Sequence, residues 1–510
     1  MGTVTNGNLY ALVEARMPRD RQRCAIETPD GLYYTWDDLE RATAKLANLL
    51  RSLRLPLGAR VAVQTEKSPE ALMLYLATLR AGYVFLPLNT AYQAAEIDYF
   101  LADAQPSLVV CSPQNAHWIE PLARRRRVAH LLTLDGARGG TLIEAGAPES
   151  DRFDTVRREP DDLAAILYTS GTTGRSKGAM LTHGNMTSNA LVLQAYWGWR
   201  RGDEPGGDVL LHALPIFHVH GLFVASHGAL VNGSKMIWLP RFDLAEVLRQ
   251  LPRSTVFMGV PTMYVRLADA PGLDRELVRN MRLFVSGSAP LLVETHRQFE
   301  QRTGHRILER YGMSETVMLT SNPYDGERRP GTVGFALPGV SVRVVDEHGM
   351  RCAPEQIGAI EVEGPNVFKG YWRMPEKTRE EFTADGFFRT GDLGKFDARG
   401  YLSIVGRSKD LIISGGYNVY PKEIEGFIDE MPGVAESAVI GVPHRDFGEA
   451  VTAVVVPRPG AELDEAAIIA ELRARIAGFK VPKRVHIVDE LPRNSMGKVQ
   501  KNMLREQFGR

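Results

Sequence analysis

Leu163-Ala-Ala-Ile-Leu-Tyr168-Thr-Ser-Gly-Thr-Thr-Gly-Arg-Ser-Lys177-Gly-Ala-Met-Leu-Thr-His183 is the stretch on which the reading of this chain turns. The apolar run 163–167 predicts a buried strand, and residues 183–197 predict a helix. Between them, Gly171, Gly174 and Gly178 let the backbone turn and bring its N–H groups close to an anion. Thr169, Ser170, Thr172, Thr173 and Ser176 add hydroxyl donors, and Lys177 adds a compact positive charge. Strand, glycine loop and helix in that order predict polyphosphate binding. The common nucleotide-triphosphatase loop places its lysine directly after a glycine, with four residues before that pair. Here two residues separate Gly174 from Lys177, so that motif is excluded. A plain Ser/Thr/Gly surface turn would explain the composition, but neither the lysine nor the strand in front of it.

At 510 residues the chain exceeds a single core, and at least two domains are expected. Its 44% hydrophobic and 24% charged residues are those of a soluble globular protein. Lys+Arg 61 against Asp+Glu 61 leaves no net charge, which argues against nucleic acid or an anionic membrane as the main partner. The run Arg124 to Arg127 lacks interleaved aromatics and reads as a solvated face. Cys24, Cys111 and Cys352 show neither disulfide nor zinc spacing, so a reducing, cytoplasmic compartment is expected. The N-terminus lacks a secretory pattern, and the most apolar stretch, 209–231, is interrupted by four histidines, so no membrane span is expected.

Thr35-Trp-Asp-Asp38 is a capping-box pattern opening a helix whose Leu39, Ala42, Leu46, Leu49 and Leu53 share a face. Residues 60–64 predict a strand, Ser68-Pro69 opens a helix over 70–80, and 84–88 predict another strand. The alternation continues through 96–103, 108–111, 256–258 and 283–285. It predicts an α/β fold, with parallel or mixed sheets covered by helices. Residues 136–162, rich in Gly, Pro and charge, read as surface connections. After Gly406 the pattern becomes α+β: helices over 421–428 and 464–476, strands over 437–442, 451–456 and 485–488. The expected organisation is a large domain, 1–405, and a small one, 406–510.

Five further segments follow: Tyr311-Gly-Met-Ser-Glu315, Phe387-Phe-Arg-Thr-Gly-Asp392, Gly406-Arg-Ser-Lys-Asp410, Ser414-Gly-Gly-Tyr-Asn418 and Pro492-Arg-Asn-Ser-Met-Gly-Lys498. Singly, each reads as a loop or a solvated turn. In this order and at these intervals, over nearly the whole chain, they resemble the adenylate-forming (ANL) superfamily of acyl-CoA synthetases, luciferases and peptide-synthetase adenylation domains. Pro215-Ile-Phe-His-Val-His-Gly-Leu222, Glu309-Arg-Tyr-Gly-Met313 and Gly364-Pro-Asn-Val-Phe-Lys-Gly-Tyr-Trp372 most resemble the malonyl-CoA synthetase family.

The resemblance implies a two-step AMP-forming ligase. A carboxylate attacks the α-phosphate of ATP, and the thiol of coenzyme A then displaces AMP. It places Thr169 to Lys177 on the β- and γ-phosphates, Glu315 on Mg²⁺ and Ser314, where the family more often has Thr, on the α-phosphate. Gly287, Ser288, Glu309, Arg310, Tyr311 and Gly312 would surround the adenine and acyl pockets. Asp392 would accept from the ribose hydroxyls, with Arg407 as a second contact. Lys498 would bridge the substrate carboxylate and the α-phosphate. Lys409 would be the hinge that withdraws Lys498 and brings Ser414, Gly415, Gly416 and Tyr417 toward coenzyme A. His218 would stand near the thiol's entry, with His220, Val219, Met313 and Ser286 at the acyl pocket. The His-x-His pair has no further ligand cluster to suggest a metal. A lysine acetyltransferase acting on Lys498 would remove its charge and switch the first step off.

Many superfamily members carry a small residue where this chain has Arg310. A guanidinium in a buried acyl pocket needs an anion, and it suits a planar carboxylate. Arg310, with Arg266 as second candidate, therefore points to a dicarboxylic acid; the alternative for either is an outward-facing structural ion pair, which suits Arg266 almost as well. The bulk of Met313, Val219 and Met258 favours a short acid, malonate or methylmalonate. The alternatives are another short-chain acyl-CoA synthetase, an adenylation domain loading a carrier protein, a luciferase-like oxygenase, and a non-catalytic nucleotide-binding regulator. The sequence continues past Lys498 only to Arg510, with no carrier segment, and Glu315, Asp392 and Lys498 keep their chemical types.

Overall fold

A computed structural model describes residues 6–169, 176–414, 417–445, 447–494 and 497–509. Its helices begin where the sequence supplies caps. Thr35 and Asp38 form the expected capping box at the head of Trp36–Ser52. Ser68 accepts from the Ala71 N–H to open Pro69–Arg80, a helix buried along its whole length.

Two large sheets form the main body. The first runs, in spatial order, His130–Thr133, Leu108–Cys111, Arg60–Gln64, Val84–Pro87, Leu163–Thr169 and Lys177–Thr182. The second runs Phe335–Ala336, Val317–Ser321, Leu308–Met313, Leu283–Ser286, Val256–Gly259, Val209–His212, Lys235–Trp238, Cys24–Glu27 and Tyr33–Thr35. Their central strands pair in parallel, as expected of buried strands joined through helices. Three of their four edges are antiparallel, while His130–Thr133 closes the first sheet in parallel.

One of those antiparallel edges corrects the reading of the glycine loop. Lys177 opens a strand, Lys177–Thr182, that pairs antiparallel with Leu163–Thr169, and the helix His183–Tyr196 begins only after it. The loop therefore joins two strands and is not the N-terminus of a helix. Ser170, Gly171, Thr172, Thr173 and Gly174 lie outside the described residues.

Three other departures have plain causes. The stretch 136–162 contains a helix, Thr141–Gly146, which is too short to show a period. Residues 341–407 form a wholly antiparallel sheet, Ser341–Val345, Gly358–Glu363, Phe388–Phe396 and Leu402–Arg407. The strand Leu402–Arg407 stays paired to its last residue, Arg407 opposite Asp392, so this sheet runs past the expected division at 405/406. The last helix, Lys501–Phe508, buries Leu504 alone and offers no apolar repeat to read.

Beyond Asp410 the strands Tyr417–Val419, Ile412–Ser414, Gly448–Pro457, Val434–His444 and Arg484–Ile487 form a separate sheet. The helices Pro421–Asp429 and Glu465–Arg475 supply Ile424, Ile428, Ile468 and Leu472 to its own apolar core. The run Arg124 to Arg127 is exposed, with Arg124 on Glu120 and Arg126 on Asp98. No helix among the described residues is long and apolar enough to cross a membrane.

Candidate active site

The hairpin Leu308–Met313/Val317–Ser321 organises the cleft. Ser314, Glu315 and Thr316 form its three-residue tip, closed by Val317 in the left-handed region at φ 53°. A β-branched residue rarely adopts that conformation, and neighbouring structure must hold it. Asn366 Nδ2 donates to the Thr316 carbonyl at 2.7 Å, and the Phe368 N–H donates to the Glu315 carbonyl at 2.7 Å. The Glu315 carboxylate is thereby fixed in a buried position, where it accepts from Tyr371 Oη at 3.0 Å. Burial pushes its pKa up, as for a carboxylate short of positive charge. Tyr371 also lies under Lys177, whose Nζ is 4.3 Å from the ring centroid and 3.8 Å from Glu381. Tyr371 thus ties the glycine-loop lysine to Glu315, a role that the motif 364–372 contains but its sequence does not announce.

On the same hairpin, Arg310 is 4% exposed, and its Nε and Nη2 have no hydrogen-bond partner among the described residues. Burial lowers its pKa to about 9. The guanidinium lies against the backbone of Gly287, where an added Cβ would stand 2.3 Å from Arg310 Cζ. Gly287→Ala must therefore push the guanidinium aside. The expected result is a KM for the acid substrate raised about tenfold or more, with ATP affinity little changed, measured by steady-state AMP formation.

His220 lies close by. Ser288, in the left-handed region at φ 73°, has its Oγ 3.3 Å from His220 Nδ1, while His220 Nε2 has no partner among the described residues. Burial, then the Arg310 charge, keeps the His220 imidazole neutral, and burial pushes His218 down to about 4. Ser286 is buried with its hydroxyl unsatisfied among the described residues. Val219 and Met258 belong to the main core, and Met313 packs against it.

The strand Phe388–Phe396 alternates buried and exposed residues, which puts Thr390 and Asp392 on one face. Asp392 receives Tyr311 Oη on one oxygen and Arg407 Nε, at 2.7 Å, on the other. Lys498 is near enough that Arg407, Asp392, Lys409 and Asp410 all act on its charge. Burial first, then Arg407, lowers its pKa to about 8. The Lys498 side chain is exposed to water.

Two expected residues stand elsewhere. Arg266 is exposed on the helix Pro261–Asp269, whose buried side is Tyr264, Leu267 and Ala268, so it does not join Arg310. The Glu309 carboxylate faces away from Arg310, toward His296 Nδ1 at 3.3 Å and the Gly331 N–H at 3.1 Å. Gly312 is required by packing, since a Cβ there would meet the Val317 carbonyl at 1.9 Å. Ser414 is buried where its strand pairs with Gly448, and Tyr417 is exposed and stacked on Phe479. Gly415 and Gly416 lie outside the described residues. Lys409 is exposed on the turn Ser408–Asp410, which Asp410 ties to Arg505 at 2.8 Å.

A fold of two sheet-and-helix layers followed by a small α+β unit, with this cleft between them, defines a class. Residues 13–372 match the AMP-binding enzyme family and residues 423–498 match the AMP-binding enzyme C-terminal domain, so the chain belongs to the AMP-binding enzymes. A malonate–CoA ligase of Arabidopsis thaliana is 36% identical over 481 residues, covering 88% of this chain and 78% of the relative. A feruloyl-CoA synthase of an Amycolatopsis species is 36% identical over 94% of this chain and 95% of its own. The crystal structure of ATP-bound MatB from Rhodopseudomonas palustris is 57% identical, with TM-score 0.96 over 99% of both chains. The apo crystal structure of that MatB, also 57% identical over 99% of both chains, superposes with TM-score 0.85.

Proposed function

We propose that this chain ligates malonate, and methylmalonate as a close analogue, to coenzyme A in an ATP-dependent, AMP-forming reaction. The observation that carries the acid is Arg310, a buried guanidinium without a carboxylate partner among the described residues, lying against Gly287 and near His220. A buried cation left without an anion is costly, and a substrate carboxylate relieves that cost.

In the first step one malonate carboxylate attacks the α-phosphorus of ATP and pyrophosphate leaves. Arg310 holds the other carboxylate, and Lys498 offsets the repulsion between the attacking carboxylate and the α-phosphate. Asp392, oriented by Tyr311 and Arg407, accepts from the ribose. Lys177 faces the β- and γ-phosphates. Mg²⁺ fits this site as a metal held by one protein carboxylate, Glu315, together with phosphate oxygens. Among the described residues no group of three or more His, Cys, Asp or Glu could hold it alone, and the buried Glu315 carboxylate, though Arg407 and Lys177 act on it, makes no ion pair with them. When bound, Mg²⁺ supplies neutralisation of phosphate charge.

In the second step the thiol of coenzyme A loses its proton, attacks the acyl carbon and releases AMP. Lys409 is proposed as the hinge between domains 1–405 and 406–510. Arg407 is still paired in the first body's sheet, while Asp410 is already bound to the last helix, which leaves 408–409 to turn. Ser414 and Tyr417 would then reach the coenzyme A side. A cytoplasmic location, supported by three free cysteines, and control by acetylation of Lys498 belong to the same reading.

The test is acid-dependent AMP formation over a panel of mono- and dicarboxylic acids, with and without coenzyme A. Preference for a monocarboxylate would overturn the malonate assignment. A second expectation concerns pH. Lys498 acts as a cation, and its charge is lost as pH rises through a pKa lowered toward 8. The kcat/KM for adenylation should fall on the alkaline side, and Lys498→Arg, whose guanidinium stays charged, should lose that fall even at reduced rate.

A further inference from the structure

Outside the proposed substrate contacts, a buried polar chain links the two large sheets to the turn that carries His218 and His220. Lys67 leaves the loop after Arg60–Gln64, in one sheet, and crosses to the ends of two strands of the other. Its Nζ lies 2.9 Å from His212 Nδ1, 2.8 Å from the His212 carbonyl and 2.6 Å from the Leu239 carbonyl. It also stands 4.4 Å from the centroid of the Trp238 ring, a favourable face for a cation. The other side of His212 meets the turn: Nε2 is 3.0 Å from the Gly221 carbonyl and 3.0 Å from Ser226 Oγ. Ser226 Oγ donates to the same Gly221 carbonyl at 2.9 Å.

The protons in this chain can be assigned from donors and acceptors alone. A carbonyl oxygen only accepts, and with the Ser226 hydroxyl hydrogen already directed to Gly221, a hydrogen on His212 Nε2 is the arrangement that satisfies this side of the ring. Nδ1 of the neutral ring is then an acceptor, and it faces an ammonium. The two carbonyls and Nδ1 take the three N–H bonds of Lys67 one each. Burial pushes the Lys67 pKa well down, and the three acceptors around its Nζ offset that cost by favouring the ammonium, which a second proton on His212 would meet directly.

Gly221 is the second residue of a wide π-helical turn, His220–Ser226, of a kind often found at functional sites. It is pressed against the Pro215 carbonyl, which a Cβ would approach to 2.0 Å, and the Leu222 N–H donates to the His218 carbonyl at 2.9 Å. The residue before it, His220, faces Ser288 and the neighbourhood of Arg310. Holding the Gly221 carbonyl therefore holds the backbone from which both histidines project.

We propose that Lys67 and His212 are positioning residues for the acyl pocket: Lys67 fixes His212 as its Nε2–H tautomer, and His212 with Ser226 clamps the π-helical turn that aims His220 at the acid. In its effect on acid binding, this rests on the malonate reading above; the tautomer does not.

Lys67→Met keeps the buried stem and removes the donors. The expected result is a KM for malonate raised about tenfold or more with the KM for ATP within about twofold. His212→Gln can reach the Gly221 carbonyl from the Nε2 position, whereas His212→Asn cannot, so Gln should recover most of the acid affinity and Asn none. Long-range ¹H–¹⁵N correlation of the substrate-free protein, with the His212 signal identified by its absence in His212→Gln, should report Nε2–H in the wild type, and the Nδ1 resonance should move in Lys67→Met. An Nδ1–H tautomer in the wild type overturns the proposal. So does an unchanged acid KM in Lys67→Met, an equal rise in the KM for acid and ATP, or equal activities of the Gln and Asn variants. If the acid panel selects a different substrate, the malonate reading fails, and the same comparisons made with the selected acid still decide the positioning role.

Discussion

Lys498→Ala is expected to cut acyl-adenylate formation by about a hundred- to a thousandfold, the scale of removing one preorganised charge from a transition state. Thioester formation from supplied malonyl-adenylate and coenzyme A should survive. The asymmetry follows from where the charge is used. In the first step two anions must meet, and Lys498 stands beside Asp392 and Arg407, where that meeting is proposed to occur. In the second step the α-phosphate departs and no approaching anion needs the lysine. Pyrophosphate release measures the first half-reaction, and thioester formed from the isolated adenylate measures the second. A folded variant that loses both equally would refute the assignment.

Arg310→Ala is expected to raise the KM for malonate by about a hundred- to several-thousandfold, the scale of the roughly 3–5 kcal/mol of a broken buried pair. Acetate and propionate should be used as well as before or better, since neither brings a second charge. The same variant should also unfold at higher denaturant concentration than the wild type when no substrate is present. The free enzyme contains a cation 4% exposed, with Nε and Nη2 unsatisfied among the described residues, and removing it relieves that cost. A purely structural arginine predicts the opposite, a less stable protein with an unaltered choice of acid. Chemical denaturation beside the acid panel separates the two.

Local rules made much of the fold legible. The capping box Thr35/Asp38 and the Ser68 cap appear where the sequence places them, because both involve groups three residues apart. The glycine loop was misread for the converse reason. Whether a strand or a helix follows it depends on pairing across the turn, and Lys177–Thr182 pairs with Leu163–Thr169 without an alternating pattern of its own. The burial of Arg310 was anticipated because an arginine beside Tyr311-Gly312 breaks the motif's usual small residue. The exposure of Arg266 stays open in the sequence, which allows it either role, since the side of a helix that faces the cleft is a tertiary fact. Tyr371, Lys67 and His212 were illegible as partners. Each acts across more than fifty residues of chain, and none departs from what an ordinary core would contain.

Arg310 and Lys498 stand on opposite sides of the proposed hinge, one on the hairpin Leu308–Met313/Val317–Ser321 and the other near the end of the chain. In the proposed mechanism they would act together as a ruler for the acid, with one end fixed and the other on a moving arm. With both ends engaged, the distance between the carboxylates is gauged, and succinate would overrun a span set for malonate. If the arm swings away after adenylation as proposed, the fixed end would keep its grip on the distal carboxylate. The acyl group then stays in register for the thiol although the residue that activated it has gone, so selection by length and retention of the intermediate come from the same arginine at different moments of the cycle.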